Sequence, residues 1–160
     1  MRDYIIMTDS CCDLSQQEVE ELELTVLPLS FTIEGKTLLN TPDHADMSPE
    51  EFFAKIAAGA DCTTAAVNVG QFTDAMEKVL QEGKDILCVC FSSALSTTYQ
   101  SACIAAEDLR EKYPEAKILV IDSLSASRGQ GMLLYRAVRE RREKNLTIDE
   151  LDAYVRSIIQ

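Results

Sequence analysis

The sequence predicts an α/β fold, a three-layer sandwich built on a mostly parallel sheet, and three observations carry that reading. Short apolar runs end in hydroxyl-bearing turns and are followed by helix-start signals, repeatedly along the chain. Residues 85–91 and 117–121 are nearly continuous in apolar side chains, the pattern of strands covered on both faces. The connections are short, and no internal repeat or flexible linker interrupts the 160 residues, so residues 1–160 read as one domain.

The elements follow in order. Residues 4–7 read as a strand leading into the polar turn Thr8-Asp9-Ser10-Cys11-Cys12-Asp13, after which Ser15 caps a helix with Glu18 as its reciprocal partner. Residues 25–33 are extended but interrupted by Pro28, which predicts an edge position or a bend. Gly35-Lys36 is a turn, and 37–47 a polar connection without pattern. Ser48, with Pro49 at the first helical position and Glu51 three residues on, opens a second helix that ends near Gly59. The segment 61–68 reads as a loop whose Asn68 pairs with Gln71 to cap a third helix, closed by Gly83. Strand 85–91 then leads through the loop 92–97 into a helix that Tyr113-Pro114 stops. Strand 117–121 ends in Asp122-Ser123; a long helix runs to about Lys144, and Thr147 with Glu150 starts the last one.

Composition sets the class of molecule. Hydrophobic residues are 46% of the chain and charged residues 26%, enough apolar material for a core. No run approaches the length of a membrane span, and Ile5-Ile6-Met7 is too short for a secretory signal, so a soluble cytoplasmic chain without stable membrane insertion is expected. A net charge of −12 repels phosphate backbones and argues against nucleic acid as a partner. The one basic cluster, Arg136, Arg139, Arg141, Arg142 and Lys144, is interleaved with Glu140 and Glu143 and reads as an exposed helix face. Six cysteines with no CxxC, and a single histidine, His44, give no zinc spacing; reduced thiols are expected, with Cys88, Cys90 and Cys103 packed. Cys11 and Cys12 sit at a strand-to-helix turn, where a thiol pKa can fall, and are the candidates for a reactive thiol. Neither a metal nor a cofactor is called for.

In open parallel sheets, ligands bind beyond the carboxyl ends of the strands. Three strands here end in hydroxyl-rich turns: Thr8-Asp9-Ser10, Ser92-Ser93-Ala94-Leu95-Ser96-Thr97 and Asp122-Ser123. The middle turn enters a helix directly, so free backbone N–H groups, the helix dipole and serine hydroxyls favour an anion there. GxGxxG and GxxxxGK[ST] are absent, and Gly129-Gln130-Gly131 is too short a match. With no Lys or Arg inside the three turns, a single carboxylate suits them better than a polyphosphate. A serine nucleophile in the 92–96 loop would need a base; His44 is the only histidine, and GxSxG is absent.

Thr8-Asp9-Ser10 with Asp13-Leu14, Leu27-Pro28-Leu29, Ile33-Glu34-Gly35, Ser48-Pro49-Glu50-Glu51-Phe52-Phe53, the stretch from Ser92 to Ala102, and Ile121-Asp122-Ser123 together resemble the N-terminal domain of the DegV family of bacterial fatty-acid-binding proteins. The resemblance runs in order through nearly the whole chain. It implies a long-chain fatty acid as ligand, its acyl chain in an apolar tunnel and its carboxylate held by loop hydroxyls, with no turnover. The family's head-group threonine corresponds to Thr64 and its head-group serine to Ser96; Ser92, Ser93, Thr97, Asp9 and Ser10 are supporting candidates. A separate fatty acid kinase is the implied protein partner. A second domain, which walls the tunnel, would follow, and its absence would favour self-association of the isolated domain.

The chain departs from the family pattern at Ala65-Ala66-Val67-Asn68, where Ser-Gln-Pro-Ser is common, and at Thr97, where the family has glycine. Glycine there would permit close backbone approach or unusual dihedrals, so a β-branched residue is expected to crowd the carboxylate or alter the turn. Two other functional classes compete: a serine-dependent acyl or phosphoryl hydrolase, and a regulatory interaction module.

Overall fold

A computed structural model describes residues 2–159. Four strands form a fully parallel sheet in the order β2-β1-β6-β7: β1 (Tyr4–Asp9), β2 (Leu24–Leu27), β6 (Asp85–Cys90) and β7 (Ile118–Asp122). Strand β6 lies between β1 and β7 and is buried along its whole length. Its alternate residues feed two cores: Ile86, Cys88 and Cys90 face one way, Leu87 and Val89 the other.

Helices cover both faces. On one side α3 (Val69–Gln81) presents Phe72, Met76 and Leu80, one stripe at helical spacing, and α4 (Thr98–Lys112) presents Ala102, Ala105, Ala106 and Leu109. The alanines let α4 lie close to the sheet. On the other side α1 (Gln16–Glu21), α5 (Ser127–Lys144) and α6 (Ile148–Ile158) bury Val19, Leu134, Ala137, Val138, Leu151 and Val155. Helix, sheet, helix is the three-layer sandwich that the sequence predicts. The reciprocal caps at Ser15/Glu18, Asn68/Gln71 and Thr147/Glu150 are all formed. Ser48 accepts from the Glu51 N–H at 3.2 Å, one half of the expected pair, at the start of α2 (Pro49–Ala57).

A second sheet corrects the sequence reading. Strands β3 (Leu29–Ile33), β4 (Lys36–Asn40) and β5 (Cys62–Ala65) form an antiparallel sheet in the order β4-β3-β5. Pro28 ends the edge strand β2 and separates it from β3, so the predicted interruption is a change of sheet. Glu34 and Gly35, both at positive φ, make the two-residue hairpin between β3 and β4. Strands β4 and β5 fall where a polar connection and a loop were expected. Their side chains are mostly exposed, so neither shows the apolar alternation that marks a strand. Helix α2 buries no residue fully; Phe52 meets Phe31 of β3 edge-on at 5.4 Å, and Lys55 reaches Glu34 at 2.7 Å.

The parallel sheet has two edges, β2 and β7, and β7 is the guarded one. Its outward carbonyls are occupied: Arg110 of α4 donates to Ile118 O at 2.5 and 3.2 Å, and Arg156 of α6 donates to Val120 O at 3.0 Å. The basic cluster on α5 is largely spent on neighbours. Arg139 pairs with Glu143, Lys144 with Glu140, Arg141 with Asp3 and the face of Tyr4, and Arg142 with Glu23, as an exposed helix face requires.

Candidate functional site at the carboxyl edge of the parallel sheet

Because the four strands run parallel, Asp9, Leu27, Cys90 and Asp122 all end at one edge. The turn after β6 is built by its own hydrogen bonds. The Ser92 carbonyl accepts from the N–H groups of Leu95 (3.0 Å) and Ser96 (3.1 Å), and its hydroxyl oxygen accepts from Ala94 N–H at 3.3 Å. Two bonds from the β7 side fasten it: Ser92 N–H donates to Ser125 O at 3.1 Å, and Ser93 N–H to Asp122 Oδ1 at 3.1 Å.

Ser96 then stands at the mouth of α4. Its hydroxyl oxygen accepts from Thr98 N–H at 3.2 Å and lies 2.9 Å from the Thr98 hydroxyl, which is fully buried. Ser96 thus takes the capping role that Thr97, exposed and without a side-chain cap bond, does not fill. When the Thr98 hydroxyl donates to Ser96, the Ser96 O–H is free to donate outward. The N–H groups of Tyr99 and Gln100, in the first helical turn, have no intrahelical partner, so a carboxylate here meets donors from both sources. Thr97 sits at φ −80°, ψ 1°. These are ordinary dihedrals for a β-branched residue, so the turn does not require glycine at this position.

The other predicted residues divide. Ser10 is buried, and its hydroxyl oxygen accepts from Leu29 N–H at 3.0 Å and from the Asn40 side chain at 3.3 Å, anchoring the small sheet to the end of β1. Asp9 is fully buried inside strand β1, and its oxygens face N–H donors; burial raises its carboxyl above the usual range while those donors pull it down. Ser93 is exposed. Thr64 lies on strand β5, opposite Phe31 in the small sheet, and not in a loop; it is exposed, and among the described residues no hydrogen bond joins it to Ser96. The register places Thr64 opposite the middle residue of β3. His44 is exposed in the 41–47 connection, and among the described residues it bonds only through its backbone, to Thr41 O.

All six cysteines are free. Cys88 and Cys90 pack side by side with sulfurs 3.5 Å apart. The idea of a lowered thiol pKa at Cys11 or Cys12 is overturned: burial, with Asp9 and Asp13 nearby, pushes Cys11 up to about 12 and Cys12 up to about 11. Two surface clefts, about 460 Å³ beside α2 and about 370 Å³ between α5 and α6, are lined by neither Thr64 nor Ser96.

Sequence reasoning missed Thr98 and Gln130. Gln130, on α5 and fully buried, donates to Thr8 Oγ1 at 3.0 Å and Asp9 Oδ1 at 3.3 Å, while its own carbonyl has no partner. The signal in the sequence is Gly129-Gln130-Gly131, which matches no phosphate motif. Gly131 marks close approach instead: a Cβ there would lie 2.8 Å from the Cys12 carbonyl oxygen.

Comparison with known proteins places this architecture. A DegV domain-containing protein of Clostridium perfringens is 37% identical over 155 residues, 97% of this chain and 53% of that protein. One from Lactococcus lactis is 39% identical over 138 residues, 86% of this chain and 47% of that protein. The chain therefore spans about half the length of the curated relatives it matches. Among solved structures, a stearic-acid-binding protein from Eubacterium ventriosum superposes with a TM-score of 0.85 at 26% identity, over 95% of this chain and 52% of that one. A fatty-acid-binding DegV family protein from Thermus thermophilus gives 0.83 at 29% identity, over 98% and 53%. The model of the DegV family, described as uncharacterised proteins, matches residues 4–160, and the chain belongs to that family.

Proposed function

We propose that this chain binds a long-chain fatty acid, without turning it over, and that Ser96 and Thr64 hold the carboxylate. The observation that carries the reading is Ser96, a serine hydroxyl at the start of a fifteen-residue helix on the carboxyl edge of a parallel sheet, with a buried threonine hydroxyl behind it. That arrangement supplies donors to an anion and no cation, which suits one negative charge. The solved relatives described as fatty-acid-binding supply the ligand class. Ser92, Ser93, Thr97 and Ser10 act in support by shaping the turns around Ser96, and Asp9 does so from beneath. The acyl chain lies against the apolar side chains next to these turns, Leu95 and Leu124 being 67% and 58% exposed. A second domain, of the length by which the relatives exceed this chain, walls the tunnel, and a fatty acid kinase receives the ligand.

Native mass spectrometry of the purified chain tests the ligand class. A co-purified fatty acid supports binding, whereas a covalent adduct on Ser92, Ser93 or Ser96 would replace this reading with a serine hydrolase. Removing a hydrogen bond to a charged group costs about 1.5–3 kcal/mol, so in a chain carrying the complete second domain Ser96→Ala should weaken stearate binding roughly ten- to a hundredfold or more. Unchanged binding by both Ser96→Ala and Thr64→Val would remove the head-group assignment.

A further inference from the structure

Asp9 is the buried charge that carboxylate binding leaves without a direct task. An acceptor-only carboxylate cannot donate to a second carboxylate, and its oxygens are turned inward. Oδ2 receives the Phe91 N–H at 2.7 Å; Oδ1 receives the Cys11 N–H at 3.1 Å and the Gln130 amide at 3.3 Å. Phe91 is the residue between strand β6 and Ser92, and the Ser92 carbonyl and hydroxyl receive the N–H groups of the turn that ends in Ser96. A rotation of the Phe91 peptide is therefore passed to Ser96 through a short loop whose N–H groups from Ser92 to Ser96 are all bonded.

We propose that Asp9 is the positioning residue of the head-group turn: by gripping the Phe91 N–H from inside the sheet, its carboxylate sets where the Ser96 hydroxyl stands. The proposal rests on the fatty-acid reading for its functional half, while its structural half stands on hydrogen bonds alone. Two further features agree with it. Gln130 satisfies Asp9 and Thr8 while its own buried carbonyl goes unpartnered, so the donor side of that amide is the side in use. Thr8 in turn donates to Val89 O at 2.7 Å, tying the same end of β1 to β6 a second time. Among the described residues no cation pairs with Asp9, so these N–H groups are what keep the carboxylate in place.

Asp9→Asn is the test, because asparagine offers one acceptor oxygen where the two carboxylate oxygens receive three N–H groups from different sides. In the ligand-free chain, hydrogen exchange of amides 92–98 should quicken at least about tenfold while amides 86–90 of β6 keep their protection. Stearate affinity should fall at least about tenfold, and in a Ser96→Ala background the same substitution should have little further effect, since both act on one hydroxyl. Gln130→Met, which removes only the amide donor, gives the same coupling on a smaller scale and serves if Asp9→Asn does not fold. Unchanged exchange at 92–98, or losses that simply add in the double variant, would overturn the positioning role. A protein that carries the unsubstituted chain together with its second domain and holds no stearate would instead overturn the fatty-acid reading, and the exchange experiment would still decide what Asp9 does.

Discussion

Gly131 and Gly129 lie two residues apart on α5, and the same substitution should move stability in opposite directions. In a helix interior, alanine is favoured over glycine by about 1 kcal/mol. At Gly129 the added Cβ would find Ser125 Cβ at 3.6 Å, an ordinary contact, so Gly129→Ala should stabilise the chain by up to about 1 kcal/mol. At Gly131 it would meet the Cys12 carbonyl oxygen at 2.8 Å and Leu14 Cδ2 at 3.0 Å. The first of these is backbone, in the 3-10 turn Ser10–Cys12 whose Cys11 N–H is bonded to Asp9, so no side-chain rotation relieves it. Forced contacts of this kind cost about 1–3 kcal/mol, and a backbone atom places the cost at the upper end. After the gain in helix propensity, Gly131→Ala should be net destabilising by about 2 kcal/mol, a fall of roughly 4–8 °C in Tm for a chain of this size. Urea and thermal unfolding of the two variants beside the parent decide it. A Gly131→Ala chain as stable as the parent would show that α5 is not pressed against the turn, and the reasoning would fail.

Other outcomes follow from the same structure. Thr64→Val combined with Ser96→Ala should lose less stearate affinity than the two single losses summed, because both hydroxyls address one anion; titration of the four-member cycle measures this. Glu18 is held at about 2 by Arg128 and by the Ser15 hydroxyl and N–H, below its unfolded value of about 4.3. Its stabilising contribution is therefore complete above the unfolded pKa and lost as pH falls through 4 toward 2, and Glu18→Gln should flatten that stretch of a stability–pH curve measured by urea unfolding. In thiol counting at pH 8, the half-buried Cys62 of β5 should react first, Cys88 and Cys90 only after denaturation, and Cys11 and Cys12 slowly because burial disfavours their thiolates. Rapid labelling of Cys11 in the folded chain would contradict the packing described for the 3-10 turn.

Much of the fold was legible because the parallel sheet and its helices obey strong local rules. Continuous apolar strands, capping pairs such as Asn68 with Gln71, and closing glycines each state their element without help from tertiary structure. The small antiparallel sheet was not legible for the opposite reason: β4 and β5 carry polar, exposed side chains and are held by pairing with β3, a relation that a local pattern does not encode. At the site, Ser96 could be read from its place before a helix. Thr98 could not, since a threonine at the first helical position is unremarkable until its hydroxyl is seen 2.9 Å from Ser96. Asp9 was visible as a residue but not as a tie to Phe91, eighty-two positions away.

The two arginines on β7 bear on how this sheet can grow. An exposed strand edge is a template on which another chain can continue the ladder. Here an incoming strand would have to strip guanidinium groups from the Ile118 and Val120 carbonyls before making its first backbone bonds, and would leave two cations stranded beside it. Growth past β7 is thereby closed by chemistry, although the edge is geometrically open. Contacts between copies on this side of the sheet fall to helix faces or to the loops at the carboxyl edge, where Leu95, Leu124 and Met132 are exposed, and such contacts form finite assemblies more readily than an endless ribbon.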